Sequence, residues 1–159
     1  MKTRRQLTLF LNPNSSEKIE EFRLKYNPIQ HHLIAAHLTL CRENEIENLD
    51  KILQNLEKIN FKSIEMKFGK PERFENKKGL WLTSISQGFN VLREEILVGI
   101  IAPNQKAHIT LMHPRNSTCT NEIYETAKHI IFPEIIHFDS IALIEQKNGE
   151  KWEILKILN

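Results

Sequence analysis

Two tetrapeptides in this chain pair an imidazole with a hydroxyl at the same spacing, His37-Leu38-Thr39-Leu40 and His108-Ile109-Thr110-Leu111. Both read His, apolar, Thr, apolar. Composition alone gives such a match roughly 0.1 times among the seven histidines, so two occurrences have a chance of about half a percent. On a β-strand, residues i and i+2 point to one face about 6.5 to 7 Å apart, while the residue between them points to the other. Each segment therefore offers one imidazole and one hydroxyl side by side, with Leu38 or Ile109 turned into packing. Brought together across a cleft, the two strands would surround one small group with two imidazoles and two hydroxyls.

A phosphodiester suits that arrangement. Two histidines near the ordinary value of about 6.5 can divide the work at neutral pH. A neutral ring accepts a proton from water and a protonated ring donates to the leaving oxygen. Thr39 and Thr110 would donate hydrogen bonds to the non-bridging oxygens, where charge builds in the transition state. The scheme calls for no metal and no cofactor.

The elements that must position these groups are legible as periodicities. Leu7, Leu9 and Leu11 alternate with Thr8 and Phe10, which predicts a half-buried strand ending at Asn12-Pro13. Asn14, with Glu17 three residues on, is the expected cap of a helix carrying Ile19, Phe22 and Tyr26 and ending before Pro28. Residues 33–41 form a second strand-like segment. Ile46, Leu49, Leu53, Leu56 and Ile59 trace a helical stripe whose first turns hold Glu43, Glu45 and Glu47. Ile64, Met66 and Phe68 alternate again, and residues 69–79 read as a charged, solvated connection. In the second half, strands are expected at residues 80–82 and 107–112. One helix follows a Ser86 cap and has Gly99 at its end, and another spans residues 120–130. Residues 138–146 and 151–158 are a hairpin joined through Asn148-Gly149.

An internal repeat underlies this order. A shift of 71 residues, without gaps, places Leu9-Phe10-Leu11 on Leu80-Trp81-Leu82, Ala36-His37 on Ala107-His108, Ile52 on Ile123 and Ile64 on Ile135. The chain is therefore expected to be one two-lobed domain over residues 1–159, with repeats at about 7–68 and 79–139 and the terminal hairpin 138–158. Neither unit alone would bury much core, so the two should pack together and leave a cleft at the join. The fold class is α+β, a pseudosymmetric arrangement of antiparallel sheets flanked by helices around that cleft.

Composition limits the setting. The 159 residues carry 22 Lys plus Arg against 20 Asp plus Glu, a formal charge of +2. A binder working by counterion release along nucleic acid would show a larger basic excess. No run of about 18 apolar residues suggests a membrane span, and the apolar stretch at residues 7–11 is too short for a secretion signal. Cys41 and Cys119 lack metal or disulfide spacing. A cytoplasmic monomer is the expectation.

The two motifs resemble those of the 2H phosphoesterase superfamily, which includes bacterial 2′-5′ RNA ligase-like proteins and 2′,3′-cyclic nucleotide phosphodiesterases. Residues 22–28, Phe-Arg-Leu-Lys-Tyr-Asn-Pro, leading to Ala36-His37-Leu38-Thr39-Leu40, also look like bacterial members. The resemblance implies a two-lobed α+β fold. It also implies metal-independent opening of a 2′,3′-cyclic phosphate on an RNA or nucleotide end, or action on 2′-5′ linkages. By the same pattern His37 is the proton donor and His108 the acceptor. Some ligase-like members carry arginine five residues after the second histidine. Here His113 stands there, with Arg115 two further on and Arg42 at the matching place after the first motif. Strand alternation puts Arg42 and His113 out of phase with the two histidines, leaving a choice between cleft rim and solvated surface. Rival readings are a non-catalytic binder of RNA ends or nucleotides, and a hydrolase of a cyclic oligonucleotide or an ADP-ribose cyclic phosphate.

Other features have ordinary readings. His31-His32 with His37 lacks a fourth metal ligand. Phe10 and Trp81 could stack on a base, but pattern does not separate the faces of their strands, and they are read as core. Cys41 has no partner base and is read as a small packed residue.

Overall fold

The computed structural model describes residues 2–100 and 102–158. Strand β1 (Thr3–Phe10) leads to α1 (Pro13–Tyr26), a short α2 (Pro28–Leu33) and β2 (His37–Cys41). A 3-10 turn (Glu43–Glu45), α3 (Leu49–Lys58) and β3 (Ile64–Lys67) complete the first half. The second half runs β4 (Glu72–Phe74), β5 (Gly79–Ser84), α4 (Gln87–Ile96), β6 (Ala107–Met112), α5 (Asn121–Lys128) and β7 (Ile135–Phe138). Strands β8 (Ile141–Lys147) and β9 (Glu153–Leu158) close the chain.

Local chemistry accounts for the boundaries, including those that differ from expectation. Asn12, not Asn14, caps α1: its side chain accepts from the Ser15 amide at 2.8 Å, because Pro13, lacking an N–H, suits the first helical position. Pro28 ends α1 but opens α2 for the same reason, so the strand expected over residues 33–41 shortens to His37–Cys41. The acidic run at 43–47 does not open α3; Asn48 caps that helix, and Glu45 turns inward. Within residues 69–79, Glu72–Phe74 form a strand on β5 through a turn whose Glu75, Asn76 and Lys77 all have positive φ. Gly79 is required there, since a Cβ would stand 2.5 Å from the Phe74 ring. At the last hairpin Asn148 and Gly149 have φ of 52° and 73°, as a tight two-residue connection demands.

All strand pairs are antiparallel, in a seven-stranded sheet ordered β4-β5-β6-β2-β1-β8-β9 and a two-stranded ribbon of β3 with β7. The α+β character is thus clear. The two halves meet in both sheets. In the large one, β2 and β6 pair at Leu38 opposite Ile109, residues 71 positions apart. In the ribbon, Glu65 faces His137 and Met66 faces Ile136, so the same relation falls between two pairs. Helices cross over as well: α1 packs on β6, and α4 on β2 and β3. One buried cluster draws Leu7, Phe22 and Leu38 from the first half and Leu82, Phe89 and Ile109 from the second.

A buried ion pair fastens this join. Arg93 of α4 donates to both oxygens of Glu45 at 2.9 and 2.6 Å, to the Leu40 carbonyl at 2.7 Å and to the Pro103 carbonyl at 3.0 Å. Burial opposes ionisation of Glu45, but the hydrogen bonds from Arg93 and the Arg42 amide outweigh it and hold the carboxyl below its usual value. Removing one partner strands the other charge in the interior. Arg93→Leu is therefore expected to lower unfolding stability by about 3–5 kcal/mol, read from urea denaturation. A loss no larger than that of a surface substitution would contradict this role.

Candidate active site

The Leu38–Ile109 pairing decides which groups meet. Leu38, Leu40, Ile109 and Leu111 are fully buried, so His37, Thr39, His108 and Thr110 are turned to the other face. There all four are half-buried and line one cavity of about 130 Å³. Continuing the register carries His37 opposite Thr110 and Thr39 opposite His108, so each imidazole has a hydroxyl across the seam as well as one on its own strand.

Each imidazole is fixed in the same way. His37 Nδ1 lies 2.8 Å from the Ala35 carbonyl and His108 Nδ1 lies 3.0 Å from the Lys106 carbonyl. A carbonyl only accepts, so both rings carry their proton on Nδ1 and, when neutral, leave Nε2 with its lone pair free. Thr39 Oγ1 accepts from Gln6 Nε2 at 3.4 Å and keeps its own hydrogen for donation; the same amide bonds Thr8 at 3.0 Å. Aromatic side chains at repeat-equivalent positions flank the histidines, Phe10 with its centroid 6.1 Å from His37 and Trp81 4.6 Å from His108. Phe74 stacks on the far side of Trp81 at 4.0 Å. Both Phe10 and Trp81 are half-buried on the histidine face, which corrects the plain core reading.

The electrostatics differ from the expected value near 6.5. Burial lowers the His37 pKa to about 4; the Ala35 carbonyl works the other way, and Arg23, His108 and His113 add to the lowering. Burial also lowers His108, opposed by the Lys106 carbonyl and helped by Arg42. Both rings are thus neutral in the empty site at pH 7.

Residues beyond the motifs complete the walls. The expectation that alternation would set Arg42 and His113 out of phase fails because β2 ends at Cys41 and β6 at Met112. The His113 amide is then taken by Asn27 Oδ1 at 2.8 Å, which turns the chain inward. His113 and Arg115 line the 130 Å³ cavity, and Arg42 lines an adjoining, wider space of about 560 Å³ with Glu43, Asn44 and Glu47. Six wall residues escaped the sequence reading: Arg4, Gln6, Arg23, Gln30, Ile34 and Trp152. Alternation of Arg4, Gln6 and Thr8 against Leu7 and Leu9 contained the signal for the first two. Arg23 carried none, since a helical arginine reads as solvated, yet it is only 1% exposed. Cys41 is fully buried, and burial pushes its thiol up to about 12, consistent with packing. His31 and His32 lie on α2, and among the described residues no group of three or more His, Cys, Asp or Glu is placed to hold a metal ion. No described helix is long and apolar enough to cross a membrane.

An NMR titration should find the His37 ring neutral and Nδ1-protonated down to about pH 4, with added inorganic phosphate raising that midpoint. A midpoint at the unperturbed 6.5, insensitive to phosphate, would contradict the buried geometry.

No family model matches the sequence, and no curated protein matches it. Solved structures do. E. coli LigT in complex with 3′-AMP superposes with a TM-score of 0.67 at 18% identity, over 99% of this chain and 98% of that one. A phosphoesterase structure gives 0.68 at 17%, over 99% and 98%. The TT0787 protein of Thermus thermophilus gives 0.61 at 15%, over 98% and 96%. The likeness to these structures extends across nearly the whole chain at the level of fold: this protein has the fold of E. coli LigT.

Proposed function

We propose that the protein is a phosphodiesterase of the 2H type. It opens 2′,3′-cyclic phosphates on RNA or nucleotide ends, or acts on 2′-5′ linkages, by acid–base catalysis between His37 and His108. The observation that carries this reading is the matched presentation of two Nε2 atoms and two threonine hydroxyls in one cavity, each imidazole oriented by a carbonyl two residues before it. A nucleotide or RNA end fits because E. coli LigT, which shares the fold, binds phosphate and 3′-AMP.

The steps follow from the geometry. The cyclic phosphate enters between the histidines, with its non-bridging oxygens toward Thr39 and Thr110. His108 Nε2 takes a proton from water as the water oxygen bonds to phosphorus. One ribose–phosphate bond breaks, and the departing oxygen receives the proton from His37 Nε2, in the roles implied by the family pattern. The product is a phosphomonoester, and the proton returns from His108 to His37 through solvent. Both rings are neutral before substrate arrives, so the working form, with one proton between them, is created by the phosphate's own negative charge beside the half-buried rings. The protein is read as acting without a metal or other cofactor, as a cytoplasmic monomer, on a single domain.

Turnover of a 2′,3′-cyclic nucleotide, followed by chromatography, tests this. His37→Ala and His108→Ala should each abolish product formation. Thr39→Ala and Thr110→Ala should each cost about tenfold, on the order of one charge-assisted hydrogen bond. Chelators should have no effect. Wild-type product formation that disappears on chelation, or full activity in either histidine variant, would overturn the reading. A protein that binds the nucleotide without converting it would be the binding module instead.

The pH dependence carries a sign. Lowered pKa values in the free protein place the maximum of kcat/KM below pH 6.5, with a decline of about tenfold per unit above it, because the singly protonated form becomes scarce. Bound substrate restores proton affinity, so kcat should peak at higher pH than kcat/KM. Coincident maxima would contradict the proposed electrostatics.

A further inference from the structure

Binding one phosphate between two histidines and two threonines leaves much of the 130 Å³ cavity unexplained. Past His37 its wall is made by Arg23, Gln30, His113 and Arg115, and the way each is held leaves a hydrogen-bond donor as its remaining polar group.

Arg23 is 1% exposed. Its Nη1 pairs with Glu20 and its Nη2 donates to the Ile34 carbonyl at 2.8 Å and, longer, to the Gln30 carbonyl at 3.4 Å, but its buried Nε–H has no partner among the described residues. That Nε–H is closed off from the cavity as well as from water, so Arg23 contributes to the wall through its buried positive charge. Gln30 Oε1 accepts from Asn116 Nδ2 at 2.9 Å, which leaves the amide nitrogen as its other polar end. His113 Nδ1 accepts from the Arg115 amide at 3.1 Å, so its neutral ring carries hydrogen on Nε2, the opposite tautomer to His37 and His108. Arg115 adds an exposed guanidinium. No carboxylate lines this cavity, whereas the adjoining 560 Å³ space has Glu43 and Glu47 beside Arg4 and Arg42.

A relay of amides makes the donor wall rigid. Asn27 is 1% exposed; it accepts from the His113 amide at 2.8 Å and donates to Asn116 Oδ1 at 2.8 Å, and Asn116 in turn holds Gln30. The start of α2 is thereby locked to the segment after β6.

We infer that this donor wall, centred on Arg23, Gln30, His113 and Arg115, is a second anion subsite, taking a phosphate distinct from the one between the histidines. The inference rests on the phosphodiesterase reading for its substrate class: a nucleotide bearing a second phosphate, not a simple cyclic mononucleotide. The wide, mixed-charge adjoining space, which His113 and His108 also line, then takes the uncharged nucleoside portion.

Calorimetric titration separates the possibilities without relying on turnover. Wild-type protein should bind adenosine 3′,5′-bisphosphate at least about tenfold more tightly than 3′-AMP, one molecule per chain. In Arg115→Gln that ratio should fall toward one, and in Gln30→Leu it should fall by about threefold. Arg42→Gln, which removes the same charge at the opposite end, should change both affinities alike and keep the ratio. Equal affinities in the wild type, failure of both nucleotides to bind, or a ratio as sensitive to Arg42→Gln as to Arg115→Gln would each overturn the subsite. If the ratio behaves as expected while no cyclic phosphate is opened, the phosphodiesterase reading falls and the subsite stands.

Discussion

The pairing of Leu38 with Ile109 constrains everything around it. These residues occupy the same place in two similar halves, so the strands that carry them can meet there only in opposite senses. Their neighbours on either side, His37 with Thr39 and His108 with Thr110, must then share one face. A slip of one residue on either strand would turn its imidazole into the core and bring a leucine or isoleucine to the cavity, so the apolar packing of the far face also holds the polar face in register. The crossed packing of α1 on β6 and α4 on β2 means that neither half can move without disturbing the strand of the other.

Charge is managed around that seam by keeping carboxylates out of the cavity and behind its walls. Glu20 pairs with Arg23 and also accepts from the Ala36 amide at 3.1 Å, immediately before His37. Glu45 answers Arg93 and accepts from Gln105 Nε2 at 3.1 Å, just ahead of β6. In each case a buried arginine on a helix grips the backbone leading to a motif strand, and its counter-ion does not line the cavity. The ion pairs need not add net stability; breaking them is what costs. Their effect on the site is to hold two strand beginnings still while the cavity itself stays poor in negative charge.

The parts legible in the sequence were those governed by local periodicity. The paired motifs, the alternation of β3, the cap at Ser86 and the Asn148-Gly149 turn all have short-range causes, and all are found where pattern put them. The misread parts depend on contacts distant in sequence. Residues Glu43–Glu45 look like an acidic helix start until Arg93 is known to wait for Glu45, and residues Glu72–Phe74 look solvated until β5 is beside them. At the site, His37 and His108 were visible because their chemistry is written in spacing. Arg23 was not, because its role depends on burial beneath a wall assembled from α1, α2 and the segment after β6. The displaced titration of the histidines was hidden for the same reason: desolvation is a property of the assembled cavity.

The likeness of the two motifs has a consequence for docking. A cavity with true twofold symmetry would accept a phosphodiester in two equivalent poses, and an ester flipped end for end would present the wrong oxygen to each imidazole. The surroundings are not symmetric. Phe10 on one side answers the Trp81–Phe74 stack on the other, and the arginine whose charge acts on His37, Arg23, is enclosed, whereas the one acting on His108, Arg42, is exposed. These differences lift the degeneracy between the poses, so that on the phosphodiesterase reading a cavity built from two like strands would distinguish the leaving end of its ligand from the retained one.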